Sequence, residues 1–375
     1  MLSYWEEQYL LDYDRIIVGS GITGLSTAIS LKDRHPSMRI LVIERGILPT
    51  GASTKNAGFA CIGSFTEILA DLKSMPEEAM LKIVALRLKG LNILTKRLPI
   101  LKEQCLQYGS YELISEEELS LLDQLSSINT TLKSILPGDA FTIDNGKISE
   151  FGFHPQYTKA LIRNNFEGEL NTGLMMRSLL DEAIKKGVEI KTGCTVTQFE
   201  ETGSQVLVTV ETLNGQTITF RAQQMAICTN AFANLLVPGL DIAPGRGQVL
   251  ITKPIPGLRF KGIFHFDEGY YYFRELDGRV LFGGGRNLDF EGETTREIAL
   301  NERLQQNLEE KLQQVIIPNT PYEIDRRWAG IMAFGKDKQP ILQRYSPAIV
   351  IGARLGGMGV AIGSALGEQL AAWLE

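Results

Sequence analysis

Ile16-Ile17-Val18 is the first place where apolar residues run on without polar alternation, the pattern of a short strand buried on both faces. Ile22, Leu25 and Ile29 then recur at spacings of three and four, the period of a helix, which stops near His35-Pro36. Residues 39–43 read as a second strand ending on Glu44. Farther on, Met80, Val84, Leu88, Leu91, Leu94 and Leu98 mark a long amphipathic helix that Pro99 ends or kinks. Ser115 and Glu118 are spaced as the capping box of another helix, through Leu125. Such apolar stripes belong to helices that cover a sheet.

The second half of the chain is richer in strand signals. Asn171 or Thr172 caps a helix with Leu180, Ala183 and Ile184 inside and Gly187 at its end. Strands follow over 188–191, 195–199 and 206–211, the last joined through Asn214-Gly215 to 217–220, and 224–228 reads as another, buried strand. Residues 270–273 and 280–283 form a hairpin across Asp277-Gly278, with Tyr270 and Tyr272 on one face and Tyr271 on the other. Leu300, Leu304, Leu308 and Leu312 mark a helix for which Thr294 and Glu297 supply a capping box. A strand over 349–352, the turn Gly356-Gly357-Met358-Gly359 and a helix through Ala371 close the pattern.

The first of these elements carries chemistry. Between strand and helix lies Gly19-Ser20-Gly21-Ile22-Thr23-Gly24, a GxGxxG, and Glu44 ends the next strand 20 residues beyond Gly24. Gly19 permits the tight turn, Gly21 lets the backbone approach a pyrophosphate, and Gly24 lets helix pack on strand. The helix N-terminus offers N–H groups and partial positive charge to phosphates, and the acid takes ribose hydroxyls. Strand, loop, helix, strand and acid in this order define a dinucleotide site, whereas a surface Gly turn explains neither the strand before nor the acid after.

Length and composition narrow the class. A chain of 375 residues suggests about two domains, and 44% hydrophobic with 22% charged residues is a soluble, globular composition. The net charge of −6, with no long basic run, argues against nucleic acid. Glu6 and Glu7 stand where a signal peptide carries Lys or Arg, and the apolar stretches near 16–31 and 355–366 are broken by Gly, Ser and Thr, against an integral membrane segment. Cys61, Cys105, Cys194 and Cys228 lack CxxC spacing and fit reduced thiols in the cytoplasm; His35, His154 and His265 lie too far apart to suggest a metal site.

GSGITG, the Glu44-Arg45 pair and the loop Gly51-Ala52-Ser53-Thr54-Lys55-Asn56-Ala57-Gly58 together resemble the D-amino-acid-oxidase superfamily of FAD-dependent amine and amino-acid oxidoreductases, nearest its glycine oxidase and γ-glutamylputrescine oxidase branches. The resemblance recurs in the middle and at the closing Gly-rich turn. It implies an α/β, Rossmann-like FAD-binding domain of glutathione-reductase type from 1–66, 168–242 and 326–375. A second, α+β substrate domain with an antiparallel sheet would comprise 67–167 and 243–325. The implied FAD contacts are Gly19, Ser20, Gly21, Ile22, Thr23 and Gly24; Glu44 and Arg45; Ala52, Ser53, Thr54, Asn56, Ala57 and Gly58; Val196 and Thr229; and Gly330, Gly357, Met358, Gly359 and Val360 toward the flavin ring. From the first motif alone a NAD-dependent dehydrogenase is also open, but the second loop and the closing turn favour FAD.

This chain departs from the resembled family at the substrate. Glycine and D-amino-acid oxidases hold a carboxylate with an Arg shortly after the Trp-Ala-Gly motif, where this chain has Met332, and a second basic residue of the glycine oxidase branch falls at Gly357. Losing a bidentate Arg weakens the free-amino-acid reading, unless Arg354 serves in its place. Lys55 stands where relatives with histidyl-linked flavin carry His, so FAD is expected to be non-covalent, with Cys61 near enough in sequence to be checked. The implied reaction is hydride transfer from a carbon bearing an amine nitrogen to flavin N5, giving an imine. Tyr270 and Tyr272 are the expected substrate contacts, with Met332 and Arg354 completing the catalytic set. His265, Arg246 and the run Lys336-Asp337-Lys338 read as a strand filler, a structural partner and a solvated turn. The competing readings are an amine or secondary-amine oxidase using O2, a glycine or D-amino-acid oxidase or quinone-linked dehydrogenase, and a non-catalytic flavin-binding protein.

Overall fold

The computed structural model describes residues 1–102 and 108–375, so Cys105 lies outside the described residues. The described residues build two eight-stranded sheets and a small two-stranded ladder. At the centre of the first sheet lies Asp12–Val18, flanked in parallel by Ile40–Ile43 and Thr217–Ile227, with Ile16 opposite both Leu41 and Met225. Glu189–Lys191 extends one edge; Ile349–Ala353 and Ile341–Arg344 extend the other. A central strand covered on both faces has no solvent side, hence its continuous apolar run.

Two helices lie side by side on this sheet, Ile22–Arg34 and Gly359–Trp373, and a third, Glu77–Arg97, crosses over the latter. Small residues set the spacing. A Cβ on Gly367 would lie 2.7 Å from Thr23 O, and one on Gly90 would lie 1.9 Å from Ala361 O. The apolar stripe read at Met80, Val84, Leu91 and Leu94 is buried in that layer.

The second sheet runs from Ile324–Phe334 through Ala243–Thr252, Arg279–Gly284, Tyr271–Leu276 and Ile263–Phe266 to Ser110–Ile114, Ala160–Asn164 and Phe141–Ile143. Its outer face buries an aromatic cluster in which Phe264 and Phe273 stack with centroids 4.7 Å apart, capped by helix Glu302–Lys311.

Four readings need correction. The strands expected at 217–220 and 224–228 are one strand, Thr217–Ile227, which pairs antiparallel with Gln205–Thr212 at its start and parallel with Asp12–Val18 farther on. Its polar middle misled, because Arg221 is held by Asp12 on the neighbouring strand. The box at Ser115 and Glu118 is half present: Ser115 N donates to Glu118 Oε2 at 2.9 Å, but a 3-10 turn, Leu119–Gln124, follows before the α-helix Leu125–Leu132. Thr294 does not cap the later helix; Asn301 does, its Oδ1 accepting from Leu304 N, while the Thr294 hydroxyl donates to Phe290 O. Finally, a domain break at 326 would cut Ile324–Phe334, which pairs with Ala243–Thr252 as far as Phe334 opposite Ala243.

Glu112 ties the second sheet to the start of helix Phe65–Ser74. It projects from Ser110–Ile114 and accepts from Ser64 Oγ (2.9 Å), Thr66 N (3.2 Å) and Thr66 Oγ1, where helix Phe65–Ser74 begins. Loss of solvation pushes its carboxyl up from 4.5 to about 7, against those hydrogen bonds. A raised folded-state value means this group's stabilisation is complete below about 4.5 and is lost as pH rises through about 7. Glu112→Gln has no such proton. Urea unfolding should therefore show the parent losing about 1–3 kcal/mol relative to the variant between pH 5 and pH 8. Parallel curves for the two proteins would contradict the assignment.

Candidate active site

A cavity of about 730 Å³ lies between the two sheets. Its floor is built where the first strand ends: Val18 is followed by Gly19 at φ +104, and helix Ile22–Arg34 begins behind Gly21, which brings no side-chain cap. The closing helix Gly359–Trp373 also starts at this cavity, with Met358 as an N-cap whose side chain does not cap the helix. Two helix ends with open N–H groups thus face one space, and both favour negative charge there.

Glu44 is buried at the mouth of this cradle, and its carboxylate is fixed by local donors. Oε2 accepts from Ser20 N (3.1 Å) and Ser20 Oγ (2.8 Å), and Oε1 accepts from Gly46 N (2.9 Å). Ser53 Oγ accepts from Ile22 N at 3.1 Å, joining the second loop to the first turn. Arg45 lies over the Phe232 ring, 4.2 Å from its centre, at the same wall.

Most of the expected cofactor set lines the cavity: Gly19, Gly21, Ile22, Thr23, Glu44 and Arg45; Ala52, Ser53, Asn56 and Ala57; Val196 and Thr229; and Gly330, Gly357, Met358, Gly359 and Val360. Four residues stand behind the wall instead. Ser20 orients Glu44, and Thr54 donates to Pro49 O at 2.7 Å. Gly24 packs where a Cβ would lie 1.9 Å from Gly19 O, and Gly58 where one would lie 2.2 Å from Leu170 O. They shape the cradle without facing it.

The residues present fit a flavin dinucleotide. Thr23 Oγ1 and Thr229 Oγ1 are buried on the cavity wall without a partner, a cost that a bound polar group relieves. The glycine turns and their hydroxyls form one end, and the opposite end sets Phe59, Met332 and Met358 beside the polar side chains of Tyr272, His265 and Arg286.

That opposite end belongs to the second sheet. Tyr272 faces inward, its ring 5.7 Å from that of Phe59, and burial pushes its hydroxyl up to about 12, so it stays protonated. Tyr271, on the other face, is in the aromatic cluster and donates to Asn307 Oδ1 at 2.7 Å. Tyr270 sits at the rim, 38% exposed, 6.1 Å from Phe290. Met332 and Gly357 approach each other, a Cβ on the glycine lying 3.5 Å from Met332 Sδ. His265 lines the cavity edge-on to Phe59, and burial lowers its basicity, leaving it neutral near pH 7.

Arg354 is not at the cavity. Its backbone is left-handed (φ +60), and its guanidinium is taken up by Asp241, by Asp337 at 2.6 Å and by Gln339 O. Arg246 is, as read, a structural partner, held by Glu293 at 2.7 Å. The run at 336–338 is not simply a solvated turn: Lys338 reaches the cavity wall and pairs with Asp71 and Glu67, the latter also held by Arg87 at 3.0 Å. Phe59, Arg286 and Phe334 escaped the sequence reading of the site. Only Arg286 left a trace, an Arg directly after three glycines.

A dinucleotide cradle on a mostly parallel sheet, closed by a mostly antiparallel sheet across one cavity, defines a two-sheet cofactor-dependent oxidoreductase. The model of one such family, DAO, described as FAD dependent oxidoreductase, matches residues 14–373, and the chain belongs to that family. It is 25% identical over 299 residues to the bifunctional protein ThiO/ThiG of Trichormus variabilis, covering 72% of this chain but only 39% of that protein's length. It is 26% identical over 364 residues to a mitochondrial L-2-hydroxyglutarate dehydrogenase of Nematostella vectensis, covering 90% of this chain and 76% of that one. In fold it resembles L-proline dehydrogenase from P. horikoshii, with a TM-score of 0.76, 18% identity and 96% and 92% of the two chains covered. Glycine oxidase from Geobacillus kaustophilus is similar in fold to the same degree, with a TM-score of 0.76, 18% identity and 97% and 95% coverage.

Thr229 offers a direct check on the cradle. Thr229→Val keeps the shape and removes the unpartnered hydroxyl. FAD should dissociate with a constant roughly 3- to 10-fold higher, while the apoprotein melts no lower than the parent. Unchanged FAD affinity would remove Thr229 from the binding set.

Proposed function

We propose that this protein oxidises the C–N bond of an amine or amino acid, with FAD held non-covalently. The single observation that carries the reading is the continuity of the cavity. The cradle of glycine turns opens without a break into a chamber walled by Tyr272, Met332, Phe59 and Met358. Bound FAD supplies two-electron acceptance. The chain's own task is to orient the substrate, favour its neutral amine and exclude water. An apolar wall disfavours the ammonium form, and the Tyr272 hydroxyl, protonated throughout the working range, is available to orient a polar group.

A non-covalent cofactor is supported by the state of Cys61. Burial, reinforced by Glu167 and Glu67, pushes its thiol well above its ordinary value, and Sγ lies 3.8 Å from Met358 Sδ. A thiol so far from ionisation is a poor nucleophile. Cys61, Cys194 and Cys228 are unbridged, which supports a reducing, cytoplasmic setting. Among the described residues no helix is long and apolar enough to cross a membrane. The electron acceptor fitting this reading is O2 or a quinone.

The test is anaerobic mixing of the yellow holoenzyme with separate panels of amines, amino acids and 2-hydroxy acids. At least one nitrogen compound should bleach the flavin bands, faster as pH rises and the amine loses its proton. Tyr272→Phe should slow bleaching by roughly 10-fold with flavin content unchanged. Bleaching by 2-hydroxy acids alone would transfer the reading to C–O oxidation, the chemistry named for the L-2-hydroxyglutarate dehydrogenase relative. Precipitation with acid should release the flavin into solution, and flavin retained on the protein would overturn the non-covalent assignment.

A further inference from the structure

Arg286 is a cation in the cavity wall that the site described so far leaves without a task. It follows the strand Arg279–Gly284 and the left-handed Gly285 (φ +77), and opens the short turn Arg286–Leu288. Its guanidinium carbon lies 4.3 Å from the centre of the Phe334 ring and 5.0 Å from that of Phe290. All three residues line the cavity.

Its position relative to Met332 is set by the sheet. Gly245 pairs directly with Met332 in the antiparallel ladder between Ala243–Thr252 and Ile324–Phe334, and paired residues share a face. A Cβ on Gly245 would lie 3.0 Å from the Arg286 guanidinium carbon and 2.4 Å from the Phe334 ring. Arg286 therefore lies against the residue across the ladder from Met332, on the face that Met332 and Phe334 present to the cavity. Glycine at 245 leaves the room that the guanidinium and ring occupy.

The guanidinium is also unspent. Nε is buried without a hydrogen-bond partner, and among the described residues no carboxylate pairs with it within 4.0 Å. Glu293, the nearby acid, is committed to Arg246, Gln248 and Asn301. Asp289 is committed to Gly292 N and Asn301. Burial pulls the guanidinium below its ordinary basicity, with Tyr270 and Glu293 opposing it only in part. Rings against the plane of a guanidinium leave its N–H edges as the hydrogen-bonding surface, and two parallel N–H groups match a carboxylate.

We propose that Arg286 binds the carboxylate of the substrate, so that the substrate class is anionic, despite methionine at 332. This rests on the reading of the cavity as a substrate chamber, but not on which bond is oxidised there.

The test is equilibrium binding to the FAD-loaded protein, read as a change in the flavin absorption bands, with acetate, glycolate and benzoate each paired with its neutral amide. The parent should bind at least one acid roughly 10- to 100-fold more tightly than its amide. Arg286→Gln should bring acid and amide to the same affinity with flavin content unchanged. Arg286→Lys, which keeps the charge and loses the fork, should fall between the two and serves as the test if the Gln variant fails to load FAD. No preference for acid over amide in the parent, no binding of any of the acids, or a preference that survives both substitutions would overturn the proposal. No turnover is involved, so failure of amines to bleach the flavin would sink the C–N reading and leave this result standing.

Discussion

Ser26 Oγ and Ser364 Oγ meet 3.2 Å apart where two largely buried helices run side by side. That contact reports the constraint on which the rest of the molecule depends: helices Ile22–Arg34 and Gly359–Trp373 pack so closely that Gly367 has no room for a side chain. The spacing brings both N-termini to one cavity, although some 340 residues separate them in the chain. A methyl group forced between them would push apart the two ends that face the cofactor, and overpacked interiors cost about 1–3 kcal/mol even where they yield. The site is therefore a property of helix packing before it is a property of any loop.

The part of the fold closest to that contact was the part most legible in the sequence. Val18, Gly19, Gly21, Gly24 and Glu44 could be read in order because each answers to a local requirement: an apolar strand, a tight turn, a close approach, an acid at a strand end. Alternation separated Tyr272 from Tyr271, and the family resemblance at Tyr270 said which of the two faces meets the substrate. What alternation could not supply was neighbours distant in sequence. Arg221 looked like an interruption because nothing local reveals Asp12 beside it. Arg354 looked available because nothing local reveals that Asp241 and Asp337 claim it. Lys338 looked solvated for the same reason, since its partners Asp71 and Glu67 come from a helix 270 residues earlier.

The two sheets divide the work. The first supplies rigid backbone donors and a fixed acid, which suit a cofactor common to the whole family. The second supplies the side chains that line the chamber: Tyr272, Met332 and Phe334 from its strands, and Arg286 from the turn that follows Arg279–Gly284. Exchanging a side chain there alters the chamber without disturbing the cradle. Such a division is consistent with a chain that keeps a matching overall architecture at 18% identity to the solved structures it resembles.

The path of the chain between the sheets has a consequence for biogenesis. Asp12–Val18 waits for Thr217–Ile227 to gain its second neighbour, and helix Ile22–Arg34 waits for Gly359–Trp373 to be covered. A nascent polypeptide leaving the ribosome thus exposes sticky, half-finished layers for most of its translation, when chaperone protection matters most. The coenzyme can be captured in its complete nest only after the final helix has emerged.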